Sequence, residues 1–158
     1  MARLRSIRLR LRRFARVPGA RRALLIEATC WLLVARLCLL LVPFPRLANR
    51  LGTLVPPGDQ RALRANRAGA PEHVWLAREI GWAVTAAARH VPFKAVCLPQ
   101  ALAARIMLRR RGVVCVVHFG AAKGRKKSFA AHAWLDAAGV EVTGYPQALA
   151  FAEIACFV

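Results

Sequence analysis

Apolar and polar positions divide the chain into a helical first half and a strand-like second half. Residues 23–42, ALLIEATCWLLVARLCLLLV, are almost continuously apolar and predict a helix. Its charges, Glu27 and Arg36, lie on opposite helix faces, so the run is not cleanly amphipathic. Twenty residues also suffice to cross a bilayer, and a core helix and a membrane-associated helix both fit this stretch. Residues 43–72 are punctuated by Pro43, Pro45, Pro56, Pro57, Gly58, Gly69 and Pro71 and read as a connection, with short helices at 46–51 and 59–67. Pro71 and Glu72 then open a helix to about Arg89, because proline and an early acid both suit a first turn. Arg78, Trp82, Thr85 and Arg89 share its polar side. A further helix starts at CLPQALAARIMLRRRG, residues 97–112. Pro99 fits its first turn, Arg109, Arg110 and Arg111 complement the negative end of its dipole, and Gly112 is the expected C-cap residue.

Beyond Gly112 the pattern changes to β-branched runs and alternation. VVCVVHFG (113–120) predicts a strand, AAKGRKKS a basic loop, FAAHAWL (129–135) a second strand, DAAG a tight turn and VEVTGY (140–145) a third strand. The tail PQALAFAEIACFV fits either a helix or a strand. Helices followed by an antiparallel meander make an α+β fold. The expected organisation is a basic tail at 1–22, a helical region at 23–70 and a core at 71–158.

Composition changes this picture in two respects. The net charge is +19, and nine arginines fall within the acid-free residues 1–22. That segment reads as a solvated basic tail with a capacity for anionic partners or a membrane surface. A nucleic-acid function is not expected, because no aromatic–basic motif or recognisable binding module accompanies the charge. The five cysteines, Cys30, Cys38, Cys97, Cys115 and Cys156, are odd in number and scattered, which fits reduced thiols in the cytoplasm.

The placement of Cys97 carries chemistry. At a helix start the first backbone N–H groups are unpaired, and the dipole favours a thiolate. A nucleophilic thiolate needs an imidazole partner. Of His73, His90, His118 and His132, the last lies mid-strand among alanines with Trp134 on the same face, and it is the partner expected for Cys97. A metal set drawn from Cys97, Cys115, His118 and His132 has no structural-zinc spacing, so neither a metal nor another cofactor is expected.

The pairing of CLPQALAARIMLRRRGV with FAAHAWLDAAGVEVTG resembles the lasso-peptide leader peptidases, a transglutaminase-like branch of the papain-like cysteine hydrolases. The resemblance covers about residues 90–145. It implies a papain-like, transglutaminase-like core with a helix-borne Cys97 nucleophile packed on an antiparallel sheet, a strand-borne His132 and an acid after it. A hairpin on DAAG sets residue 132 opposite about 143 or 144, where this chain has Thr143 and Gly144 rather than an aspartate. The third member is therefore open between Glu141 and Asp136, with Thr143 an alternative orienting group and Gly144→Asp a route to restoring the acid. The resemblance also implies an activity, removal of the leader from a ribosomally made precursor peptide by a stand-alone peptidase subunit. The expected partners are the precursor, a separate leader-binding protein and an asparagine-synthetase-like lasso cyclase, because the first 70 residues lack the strand-rich pattern of a leader-binding domain. The competing expectation is a basic, membrane-associated protein of the same fold without catalysis, touching the membrane through residues 1–42.

Overall fold

Helix α1 (Gly19–Leu41) starts right after Pro18, four residues earlier than the apolar run predicts. Proline has no N–H to satisfy, and the following arginines tolerate solvent. The computed structural model describes residues 17–67, 69–123 and 129–158; most of the predicted basic tail and most of the predicted basic loop fall outside them. After α1 come the short helices α2 (Phe44–Ala48) and α3 (Gln60–Ala65), the latter capped where Asp59 accepts from the Arg61 N–H. Both lie close to the expected positions. The two-residue strand β1 (Leu54–Val55) between them was not expected. Helices α4 (Pro71–Ala88) and α5 (Cys97–Arg109) follow as predicted.

Strands β2 (Cys115–Lys123), β3 (Phe129–Ala137), β4 (Val140–Thr143) and β5 (Ala152–Phe157) complete a five-stranded antiparallel sheet of order β1-β5-β2-β3-β4. The fold is α+β, with helices packed on an antiparallel sheet. The β3–β4 hairpin turns at Ala138 and Gly139, which both take positive φ, as a type I′ turn requires. The ambiguous tail resolves into a 3₁₀ turn (Gln147–Ala150) and β5. Rather than extending the meander, β5 returns to the free edge of β2.

The sheet has two unlike faces. Cys115, Val117, Leu135 and Ala137 point toward the helices and share one core with Ala28 and Leu32 of α1, Ile80 and Val84 of α4, and Ala101, Ala104 and Leu108 of α5. Alternation sends Val116, His118, Trp134 and Asp136 to the other face, where α3 and the residues flanking it cover Val55, Val116 and Cys156.

Glu27 and Arg36 separate on α1 as the sequence implies. Glu27 turns inward and pairs with Arg111 at the end of α5 (2.6 Å). The hydrogen bonds from Arg111 hold its carboxyl below the usual glutamate value, against the opposing effect of partial burial. Helix α1 is long and apolar enough to cross a membrane by length and composition. Here only Ala28, Leu32 and Ala35 are buried, and Ile26, Leu33, Val34, Leu37, Leu40 and Leu41 remain exposed.

Candidate functional site

Cys97 is the first residue of α5, preceded by extended backbone at Val96. Gln100, one turn on, donates to the Ala95 carbonyl (2.7 Å) and fixes the approach of the chain to the helix. The helix runs antiparallel to β2. Its C-terminal end is tied to the start of that strand through the Val113 N–H to Leu108 O and the buried Arg105, which donates to the Cys115 and Leu51 carbonyls. Burial lowers the pKa of Arg105. A buried guanidinium holding helix, strand and loop was not foreseen from the sequence.

His132 points to the face away from the helices. Its ring stacks against Phe151 (4.9 Å between centroids) and lies 6.2 Å from Trp134. Strand β4 pairs with β3 only from Leu135 to Ala137, so His132 lies beyond the β3–β4 ladder. Its Nε2 lies 2.7 Å from the Gly144 carbonyl. A carbonyl only accepts, so Nε2 carries the proton and the lone pair of the neutral ring is on Nδ1. The position where the resemblance implies an acid thus presents a backbone oxygen. Among the described residues the Cys97 thiol makes no hydrogen bond to His132. Cys97 starts a helix packed on one face of the sheet, and the His132 ring lies on the other.

Neither expected acid is joined to His132. Asp136 shares its face, but it accepts from Tyr145 Oη (2.8 Å) and Asn66 Nδ2 (3.4 Å) and lies 3.4 Å from His118 Nε2. Burial, followed by the bond to Asp136, raises the Tyr145 pKa far above its ordinary value. Glu141 stands beside Val142 in a groove of about 350 Å³ whose α4 wall is Arg78, Trp82, Thr85 and Arg89. Thr143 is buried, and among the described residues its hydroxyl has no hydrogen-bond partner. Gly144 has φ +91, and an added Cβ would lie 2.6 Å from Trp134 Cβ and 2.8 Å from the Ala133 carbonyl. An aspartate at 144 therefore has no room, which removes the expected route to restoring the acid.

The four residues considered as a metal set do not gather. Cys115 faces the helices beside Arg105, and burial raises its thiol pKa. A different cluster forms on the far face. His118 Nδ1 lies 2.6 Å from Glu153 Oε1, and ligand atoms of His118, Glu153 and Cys156 all lie within 4.8 Å of one another. Burial works to lower the His118 pKa, but the neighbouring carboxylates of Asp136 and Glu153 outweigh it and hold the pKa above the ordinary value. The Trp134 ring stacks on His118 at 5.4 Å, nearly parallel. It fits because Gly120 has no side chain, since a Cβ there would sit 2.7 Å from the indole. The histidine was visible in the sequence. Its partners were not, because they come from the tail strand whose pairing the sequence left open.

A family model described as the transglutaminase-like superfamily matches residues 38–156, three quarters of the chain. No curated protein and no solved structure matches the chain significantly.

Proposed function

Because the chain belongs to the transglutaminase-like superfamily, which includes cysteine peptidases, we propose that it is a cysteine peptidase and that it removes the leader from a lasso-peptide precursor. The observation that carries this reading is the hydrogen bond from His132 to the Gly144 carbonyl (2.7 Å). A base must present one defined nitrogen, and a third group normally selects it. Here the carbonyl selects Nδ1 without a carboxylate. Cys97, at the unpaired end of α5, supplies the nucleophile.

In the proposed reaction substrate binding beyond the end of β4 brings thiol and imidazole together from the two sides of the sheet. Catalytic hydrogen bonds are often loose before substrate binds. The His132 Nδ1 takes the Cys97 proton, the sulfur attacks the scissile carbonyl, and backbone N–H groups at the start of α5 receive the oxyanion. The imidazolium returns its proton to the leaving amine, leaving a thioester. Water, deprotonated by the same nitrogen, then hydrolyses it. A carbonyl stabilises an imidazolium less than a carboxylate does, so this peptidase is expected to be slow alone. Leader capture by a separate binding protein, and coupling to a cyclase, supply the proximity it lacks.

The test is cleavage of the precursor in the presence of the leader-binding protein. Cys97→Ala and His132→Ala are each expected to reduce the rate at least about 10³-fold, the scale on which loss of such groups acts. Near-normal cleavage by either variant overturns the assignment. A second reading, a non-catalytic membrane-associated protein, is favoured by the exposed apolar side of α1. Stable binding to anionic vesicles, with no cleavage by the intact chain, would favour it.

A further inference from the structure

We propose that His118, Glu153 and Cys156 form a binding site for a divalent transition-metal ion of the zinc class, on the sheet face away from the helices. The three side chains offer nitrogen, oxygen and sulfur, all of their ligand atoms lying within 4.8 Å of one another. Three protein ligands of this kind, with a fourth position left for water or another ligand, suit zinc. The cluster is net-negative in a chain whose overall charge is +19: Glu153 and Asp136 both face the single imidazole of His118.

Two features of the backbone and the surroundings support the assignment independently of the ligand atoms. Residues three apart on a regular strand point to opposite faces, so Glu153 and Cys156 should be separated by the sheet. They are not, because the β2–β5 register shifts between Phe119 and Gly120: Phe119 pairs with Ala155 and Gly120 with Glu153, leaving Ile154 bulged. Bulges of this sort re-aim side chains and are enriched beside functional sites. This one delivers Glu153 to the side of Cys156, which stands directly opposite His118.

The second feature is the other nitrogen of His118. With Nδ1 facing Glu153, Nε2 lies 3.4 Å from Asp136, which is itself held by Tyr145 Oη and Asn66 Nδ2. A ligating histidine characteristically directs its second nitrogen to a carboxylate that is held in turn. Trp134, stacked on the ring, fixes its plane. The His118 side chain is 12% exposed and that of Glu153 27%, so the site is sheltered but reachable from solvent. Coordination breaks the present His118–Glu153 hydrogen bond and turns the Cys156 sulfur from the Val55 and Pro56 carbonyls, at 3.8 and 3.9 Å, toward the ion. The thiol proton is released to solvent, the His118 ring gives up its Nδ1 proton and keeps one on Nε2 toward Asp136, and nitrogen–metal and sulfur–metal bonds form with no change of oxidation state.

The experiment uses the full chain, stripped with a chelator and titrated with Co²⁺. A thiolate ligand gives a sulfur-to-cobalt charge-transfer band in the near ultraviolet, and a four-coordinate site gives intense visible d–d bands. Both are expected in the wild-type chain and in Cys97→Ala and His132→Ala, and Zn²⁺ should bleach them by displacement. Cys156→Ser should abolish the charge-transfer band. Glu153→Gln, which retains volume and a hydrogen-bonding oxygen, and Asp136→Asn, which acts through His118, should each weaken binding about 10–100-fold. No band in the wild-type chain overturns the proposal. So does a band that survives Cys156→Ser or disappears in Cys97→Ala, because the thiolate would then belong to the peptidase site. If Cys156→Ser fails to fold, an unchanged Co²⁺ affinity in folded Glu153→Gln overturns it equally.

Discussion

His132 is held through Nε2 by the Gly144 carbonyl rather than by an acid, and Gly144 is confined by Trp134 and Ala133. Gly144→Ala is therefore expected to displace Trp134 or the carbonyl itself. It should lower cleavage by at least about tenfold and lower the denaturation midpoint as well, both from the clash and from the positive φ. Glu141, on the groove side of β4 and bonded to neither member of the pair, gives the contrasting prediction. Glu141→Gln should change single-turnover cleavage by less than about twofold, and a loss matching that of His132→Ala would show that the acid acts there after all. The helix-start position of Cys97 and the strand position of His132 were legible in the sequence because each is marked locally: Cys97 by Pro99 and the C-terminal Gly112, His132 by the small residues and Trp134 around it. The Gly144 carbonyl was not legible. A backbone oxygen leaves no trace in residue type, and the sequence could only report that the acid was missing.

Among the elements, α5 carries the most constraints. Its start presents Cys97, its middle is fixed by buried Arg105, and its end is tied by Arg111 to Glu27 of α1 and to the Met107 carbonyl. The arginine run, legible as a complement to the helix dipole, thus also docks one helix on another. Folding lowers the Glu27 pKa, so the stabilisation is present above the ordinary glutamate value and is lost as pH falls through the lowered folded value. Glu27→Gln should cost roughly 1 kcal/mol or less at neutral pH. Urea midpoints of the two proteins, compared from pH 7 to 3, should converge at the acid end; a gap that persists there contradicts the ion-pair account. The tail strand β5 was the element least legible in the sequence. AFAEIACFV is short and apolar enough for either periodicity, and its place beside β2 is set by pairing with residues far away in the chain rather than by its own composition.

On the scale of the whole molecule, one core joins α1, α4, α5 and the helix-facing side of the sheet. Leu135 is fully buried there and Leu41 is 77% exposed. Leu135→Ala should therefore cost about 2–5 kcal/mol, and Leu41→Ala under about 0.5 kcal/mol, read from denaturant midpoints with unchanged slopes. Similar losses at both positions would mean that the exposed side of α1 is covered in solution. The α+β order of helices before strands was readable because the hydrophobic period changes near Gly112. The gathering of His118, Glu153 and Cys156 on one sheet face was not readable, since it depends on a bulge and a crossover that only the assembled sheet defines. The proposed role of Cys97 as a nucleophile served by His132 is open to a test by thiol chemistry on the intact chain. A limiting amount of an iodoacetamide probe at neutral pH, followed by peptide mapping, should label Cys97 at least about tenfold faster than exposed Cys30, and His132→Ala should remove that advantage. Equal labelling of Cys97 and Cys30 in the wild-type chain, or an advantage untouched by His132→Ala, would contradict the account.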